Sequence, residues 1–541
     1  MSDTKNTKDS DNQARPRIEI YDTTLRDGSQ AQGVSFSLQD KLLIAEALDR
    51  LGVDFVEGGY PLSNPKDEAF FVEARKKSFK HLRIAAFGMT RRKGIKAADD
   101  DGMKALLGSG APVITIVGKS SEMQIREVLG VSEAENLDMI GDSLELMVRN
   151  GREAIFDAEH FFDGYAGNAD FAIATLKRAV QAGAAKLVLC DTNGGSTLEH
   201  IAAAVRAVTA ALPDVRIGVH CHNDCGLAVA NSIMAVRCGA THVQGTINGI
   251  GERCGNADLT AVIGNLAIKY GYDLLQDGTL SQLTETSRFI YEVANLNLQE
   301  NQPFVGASAF AHKGGMHVHA VRKNTSTYEH MSPEEVGNSR RILVSELSGV
   351  SNIAAKVPAK FNIAGDRAAQ KKILSALMEL ENQGYQFEAA EASFDVLVRK
   401  TLGQPWYRKL WTLDHYRCMI MRKNGGEAAT EATVKVELGD HVEHRVAEGN
   451  GPVDSLKKAL SAALRKKYIC VDDLHLVDYK VRVVNTAAET AAKVRVVIDW
   501  HDNVSGAYFG SVGVSENIID ASWLALVDAM EYKVLMSLDG K

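Results

Sequence analysis

IEIYDTTLRDGSQ (residues 18–30) joins an apolar strand pattern to a charged loop. Ile18 and Ile20 are spaced for one strand face, and Asp22, Arg26 and Asp27 begin where that strand must stop. A carboxylate beside a guanidinium at the end of a first strand suits a metal and oxyanion site. Taken alone, the stretch suits a surface turn with a salt bridge better. The downstream chain decides between these readings, because the pattern returns. Apolar runs at 54–58, 82–87, 113–117, 153–158, 186–191, 216–222 and 242–247 alternate with helical stretches. Two examples are Ser37–Leu51, with Leu38, Leu42, Ala45 and Leu48 on one face, and Asn168–Ala182, with Phe171, Ala174, Leu176 and Val180. Near-continuous apolar strands imply a parallel sheet covered on both faces. Eight strand–helix units over residues 17–273 predict a closed (β/α)8 TIM barrel. An open doubly wound sheet is the alternative, but no GxGxxG follows the first strand.

In such a barrel, chemistry sits where the strands end. Glu57 ends strand 2, Glu159 follows strand 5, Asp191 and Thr192 follow strand 6, and His220 and His222 close strand 7. Asn248, Glu252, Arg253 and Asn256 follow strand 8, so one site is expected to collect them all. His220 and His222 are two apart and share a face, while Cys221 points away. Two imidazoles, the Asp27 carboxylate and the Asn256 amide suit a divalent ion with positions left open for substrate. Zn2+, Mn2+ and Mg2+ all remain open.

The rest of the chain reads as two further parts. Residues 274–403 are mostly helical, with apolar periodicity over Arg367–Gln383 and Glu388–Leu402. They also hold AFAHKGGMHVHAVRKNTSTYEHM (309–331), where three histidines fall within eight residues. From 404 to 541 a βββα unit is written twice, with glycine junctions at Gly449–Gly451 and Gly513–Asn517 before the two helices. This predicts an α+β domain with a cleft between its halves, suited to regulation or assembly.

Bulk properties exclude several classes. The 541 residues are 45% hydrophobic and 24% charged with a net charge of −8, which gives no reason to expect nucleic acid or an anionic membrane as partner. Residues 1–16 read as a disordered polar tail without the apolar core of a secretory signal, and seven scattered cysteines suit a reducing cytoplasm.

Three motifs carry a family resemblance. DTTLRDGSQ (22–30), HCHNDCGLAVANS (220–232) and GTINGIGERCGNADL (245–259) together resemble the metal-dependent acyltransferase and lyase barrels that include the 2-isopropylmalate, homocitrate and citramalate synthases. EGNGPVDSLKKAL (448–460) is similar to the allosteric domain of the first and last of these. The resemblance implies that Asp27, His220 and His222 hold the metal, with Asn256 beside it. It implies that Arg26 stabilises charge on the substrate oxygen, that Thr192 contacts the keto-acid carboxylate, and that Glu159 lies near the acetyl group. GGMHVHA (314–320) resembles the family's G-I-H-x-D-G segment, which makes His317 the candidate acid/base and Tyr328 its downstream companion. His319 departs from the Asp of many relatives. Residues 274–403 would then complete the active site in a homodimer.

VGKSSEMQIREVLG (117–130) and EGGYPLSNPKD (57–67) are similar to citramalate-synthase patterns, which implies acetyl-CoA and pyruvate as substrates and isoleucine as allosteric inhibitor. A 2-isopropylmalate synthase, accepting 2-oxoisovalerate, is the alternative; a carbon–carbon lyase is the reading from another class.

Overall fold

A computed structural model describes residues 17–342, 357, 361, 363, 365–422, 426, 428–484 and 492–539. The tail expected at 1–16 lies outside the described residues. The chain divides into two compact units, one comprising the residues up to Phe310 with Met331–Ser339, the other Ala311–His330 with the residues from Arg340 onward.

The first unit is built on eight parallel strands: β1 (Glu19–Asp22), β2 (Phe55–Glu57), β3 (Arg83–Met89), β4 (Val113–Lys119), β5 (Glu153–Glu159), β6 (Lys186–Asp191), β7 (Arg216–Cys221) and β8 (His242–Gly245). They close in chain order, with Ile20 opposite Val243 and Asp22 opposite Gly245, so the sheet is a barrel and not an open doubly wound one. Strand alternation produces two cores. Tyr21, Phe55, Val113, Ile155 and Val188 fill the barrel interior, while Ile20, Val56, Ile114, Leu187 and Val219 meet the surrounding helices.

The helix Leu38–Leu51 starts on a Ser37–Asp40 capping box and stops at Gly52, whose φ of 87° only glycine adopts readily. The helix Ala169–Gln181 corrects the predicted face. Its buried stripe is Phe171, Ala172, Thr175, Leu176 and Ala179, and Ala174 and Val180 are only partly buried. Thr175 is tolerated inside because its hydroxyl bonds to Ser120 Oγ at 2.8 Å and donates to the Ala172 carbonyl. The helix Leu283–Val293 belongs to the same unit, through Leu283 and Ile290 in the core and a Thr284 hydroxyl donating to the Val336 carbonyl.

The second unit opens with β9 (Ala311–His312) beside β10 (Arg341–Ile342) and the helix Gly315–Lys323. The helices Arg367–Asn382 and Glu391–Leu402 follow. Next come β11 (Thr412–Arg422), β12 (Ala428–Leu438) and β13 (His441–Gly449) with the helix Pro452–Leu464, and then β14 (Leu474–Val483), β15 (Val494–Asp502) and β16 (Tyr508–Ser515) with the helix Ile518–Asp539. The duplication extends to an irregularity: the first strand of each repeat shifts register near its start, between Leu413 and His415 and between Leu476 and Asp478. Val434, Leu456, Leu460, Ile498, Trp500 and Leu526 share one core across both repeats. No helix of the described residues is long and apolar enough to cross a membrane.

Candidate active site and metal centre

Each barrel strand is short, so its last residues deliver side chains to one mouth. Asp27 lies in the loop after β1, and its Oδ2 is 3.2 Å from His220 Nε2 and 4.0 Å from His222 Nε2. The three residues are buried, and one ligand atom from each lies within 4.8 Å of the others. Burial would raise the Asp27 pKa, but Arg26 and the two histidines hold it well below the usual carboxylate range. Burial would lower His220 as well, yet its hydrogen bond and charge pairing with Asp27 raise it above an ordinary histidine. His222, desolvated and beside His220, falls to about 4.

Two buried atoms here lack a hydrogen-bond partner among the described residues: His222 Nδ1 and Asn256 Oδ1. Asn256 pairs with His222 through an isolated backbone bridge and donates Nδ2 to the Ile250 carbonyl. Gly251 makes room for it, since a Cβ there would sit 2.2 Å from Asn256 Nδ2. A hard carboxylate oxygen, two imidazoles and an unpartnered amide oxygen form a donor set that fits a divalent cation.

Arg26 is fixed from two sides. Its Nε donates to Glu57 Oε2 at 2.5 Å, and its guanidinium lies 3.9 Å from the centre of the Phe87 ring. Glu57 accepts in turn from the Tyr21 hydroxyl at 2.9 Å. Burial opposes the Arg26 charge, but Glu57 and Asp27 more than offset it and the guanidinium stays cationic. Arg26, Asp27, Glu159, Thr192, His220 and His222 line one cavity of about 230 Å3. Glu159 pairs with Lys119 at 2.5 Å, and the Thr192 hydroxyl accepts from the His160 amide.

Several expected members lie elsewhere. Asn248 turns away from the mouth, donating to the Ser287 carbonyl and accepting from the Ser287 hydroxyl. Its φ of 67° aims it that way, so the expectation of one all-inclusive site is corrected. Arg253, by contrast, stays beside the mouth: it is held by a two-pronged pair with Asp224 at 2.9 and 3.0 Å and donates to the Thr192 carbonyl at 2.8 Å. Asp22 accepts from Thr24 and from the Ile247 amide, tying the end of β1 to the segment after β8. His317 and Tyr328 belong to the second unit, where both are exposed and their rings stack at 4.0 Å.

Other residues at the mouth were not singled out from the sequence: Phe87, Lys119, Asp157 and Gln244. Gln244 faces His220 across β7 and β8; its Oε1 is 2.9 Å from His220 Nδ1 and its Nε2 donates to Asp157 at 3.1 Å. Period-two spacing carried the signal for Asp157, which is two residues before Glu159.

Residues 17–290 match the HMGL-like family, 304–385 a homocitrate synthase post-HMGL domain-like family, and 388–534 the LeuA allosteric (dimerisation) domain. Relatives named (R)-citramalate synthase include one from Aquifex aeolicus, 47% identical over 96% of this chain and 98% of its own. Another, from Geobacter sulfurreducens, is 47% identical over 96% and 97%. A probable 2-isopropylmalate synthase from Methanopyrus kandleri is 32% identical over 94% and 97%.

Proposed function

The chain belongs to the HMGL-like family, within it to the citramalate and 2-isopropylmalate synthases that carry a LeuA allosteric domain, and on that premise we propose that it condenses acetyl-CoA with pyruvate and water to give (R)-citramalate and free CoA. The observation that carries this reading is near-full-length identity of 47% to citramalate synthases against 32% and below to isopropylmalate synthases. The 230 Å3 cavity, small and lined by Arg26 and Thr192, supports a short keto acid.

Asp27, His220 and His222 would hold a divalent cation, with Asn256 contributing its unpartnered oxygen. When bound, the ion acts as a Lewis acid toward the keto oxygen. Thr192 binds the keto-acid carboxylate through its hydroxyl. Arg26, immobilised by Glu57 and Phe87, stabilises the negative charge that grows on the substrate oxygen as the new carbon–carbon bond forms. Removal of a proton from the acetyl methyl group falls to His317, with Glu159 as the alternative. Tyr328, stacked on His317, holds that ring. The match to the dimerisation domain supports a homodimer, and its allosteric character supports isoleucine, the end product of the route a citramalate synthase starts, as inhibitor bound between the two βββα repeats. The seven cysteines are free thiols, in keeping with the cytoplasm as location. We retain the functional division into barrel (17–273), helical subdomain (274–403) and regulatory domain (404–541).

Thiol release by the purified full chain, given acetyl-CoA and a panel of α-keto acids, tests this. Turnover with pyruvate that isoleucine suppresses is expected. Fast release with 2-oxoisovalerate and none with pyruvate would overturn it.

A further inference from the structure

Four loops at the barrel mouth, those after β5, β6, β7 and β8, are laced together around Thr192. The Thr192 hydroxyl accepts from the His160 amide at 2.9 Å, and its carbonyl accepts from Arg253 Nη2 at 2.8 Å. The same Nη2 also donates to Asp224 Oδ2, and Arg253 Nε donates to Asp224 Oδ1. Asp224 finds room because residue 194 is glycine: its φ is 62°, and a Cβ there would lie 2.5 Å from Asp224 Oδ2. Backbone bonds complete the lacing, from the Asn223 amide to the Gly255 carbonyl and from the Cys225 amide to the Gly194 carbonyl.

Two of the residues that grip Thr192 hold a costly backbone. Five non-glycine residues among the described ones take a left-handed φ, and two of them are asparagines, which visit that region most readily. Of the other three, His160 at 56° and Arg253 at 55° are the two that donate to Thr192. Strain of this kind persists where surrounding contacts over-determine it, and it collects at functional sites. Stability does not account for the Arg253 contacts. The Arg253 and Asp224 side chains are 44% and 24% exposed, and an ion pair so open to water contributes little to folding.

We propose that Arg253 is a positioning residue for the keto acid, one that sets the Thr192 hydroxyl without touching the substrate. The inference rests on the reading of Thr192 as the group that binds the keto-acid carboxylate. A hydroxyl has one proton and two lone pairs. With the His160 amide on a lone pair, the hydroxyl's orientation is restricted, and its proton is left for a carboxylate in the 230 Å3 cavity. Thr192 lines that cavity and Arg253 does not. Arg253 instead fixes the other end of the same residue, its carbonyl. Asp224 keeps the guanidinium aimed there and balances its charge, so that it does not compete for the substrate's carboxylate.

A double-mutant cycle in the full-length protein tests this, with Arg253→Met, Thr192→Val and the two combined. Arg253→Met is expected to raise the KM for pyruvate about 10-fold, with kcat and the thermal midpoint close to wild type. In the Thr192→Val background the same substitution should change that KM no further, because the hydroxyl it positions is gone. Arg253→Lys should recover only part of the loss, since an ammonium lacks the fork that meets Asp224 and the carbonyl together. A wild-type KM in Arg253→Met would overturn the proposal. So would effects that multiply in the double variant, which would mean that Arg253 meets the substrate itself. Thr192→Val with a wild-type KM would refute the role of Thr192 on which the proposal rests. A wild-type protein that turns over 2-oxoisovalerate and not pyruvate would refute the proposed activity, and non-additivity in the KM for that keto acid would uphold the positioning.

Discussion

The two ends of the barrel bury charge in opposite ways. Where the strands begin, charges pair off. Lys186 lies 2.5 Å from Glu153 and 3.5 Å from Glu19; Arg216 lies 2.9 Å from Glu19, Arg83 2.7 Å from Glu153, and His242 Nδ1 3.3 Å from Glu19. Burial would push Glu19 up, but His242, Lys186 and Arg216 bring it down to about 2. Where the strands stop, among the described residues, Asp22, Asp27, Glu57, Asp157 and Glu159 have Arg26 and Lys119 as the permanent cations within ion-pair distance. Burial, with Glu57 adding to it, lifts Asp22 and Asp157 to about 7. The first end is electrostatically closed and serves stability. The second is short of positive charge and has unpartnered acceptors, the condition in which a bound cation lowers the energy of the carboxylates and lone pairs around it.

The largest effect expected from this contrast is at Asp27. Asp27→Ala removes the one ionised ligand and should lower both metal content and turnover by at least about 1,000-fold, while far-UV circular dichroism stays native. Wild-type treated with a chelator should lose activity and regain it on adding a divalent ion. Native metal content in Asp27→Ala, measured by elemental analysis, would break the assignment of this end as a cation site.

Arg26→Gln comes next. It removes the charge that Glu57 and Phe87 immobilise, and a loss of about 100–1,000-fold in kcat is expected, with metal content retained. If kcat stayed within a few-fold of wild type, Glu57 and Phe87 would be holding Arg26 for packing alone.

At the opposite end, Lys186→Met removes the cation that Glu19 and Glu153 share and leaves them, partly exposed, to Arg216, His242 and Arg83. The cost is about 1–3 kcal/mol, read as a lower urea midpoint, with kcat of the folded protein unchanged. The sign of its pH dependence also follows. Glu19 is depressed in the folded protein, so its contribution is complete above the unfolded carboxylate pKa and is lost as pH falls toward about 2. The variant, missing one of the cations that depress it, should lose less stability on acidification than wild type. Equal acid sensitivity would mean that Lys186 does not act through Glu19.

Much of this was legible in the sequence, for reasons that individual residues make plain. The barrel was readable because eight apolar runs alternate with helical stretches, and the triad was readable because an H-x-H pair on a strand has to share a face. The partners of Arg26 were not. Glu57 was visible as a polar strand end, but that it holds Arg26, and that Phe87 lies under it, depends on how β1, β2 and β3 close together. Thr175 reads as a surface residue until Ser120 arrives to satisfy its hydroxyl. The stretch 274–403 reads as one helical piece, and its contributions to two units depend on Phe304, Phe310 and Val336 joining the barrel core, a tertiary choice that helical periodicity does not encode.

The smallest effect expected, and the one that tests the contrast most closely, is at Gln244. It stands between the two kinds of group at the mouth: Asp157, which has no cation at ion-pair distance among the described residues, and His220, a member of the candidate metal-binding set. An amide has a fixed polarity. With Nε2 donating to Asp157, Oε1 is left to accept, so His220 Nδ1 donates to it and the Nε2 atom, which faces Asp27, is the one left to ligate a cation. Asp157 thereby orients a ligand it does not touch. Gln244→Leu keeps the volume and removes both bonds, and it should weaken metal affinity by about 10–100-fold in a chelator competition. Gln244→Glu can still accept from Nδ1 and should recover most of that loss, which a purely structural role would not predict, since it places a second buried carboxylate beside Asp157. Equal affinity in all three proteins would show that barrel packing alone sets the His220 ring, and that the surplus acid at this end contributes only charge.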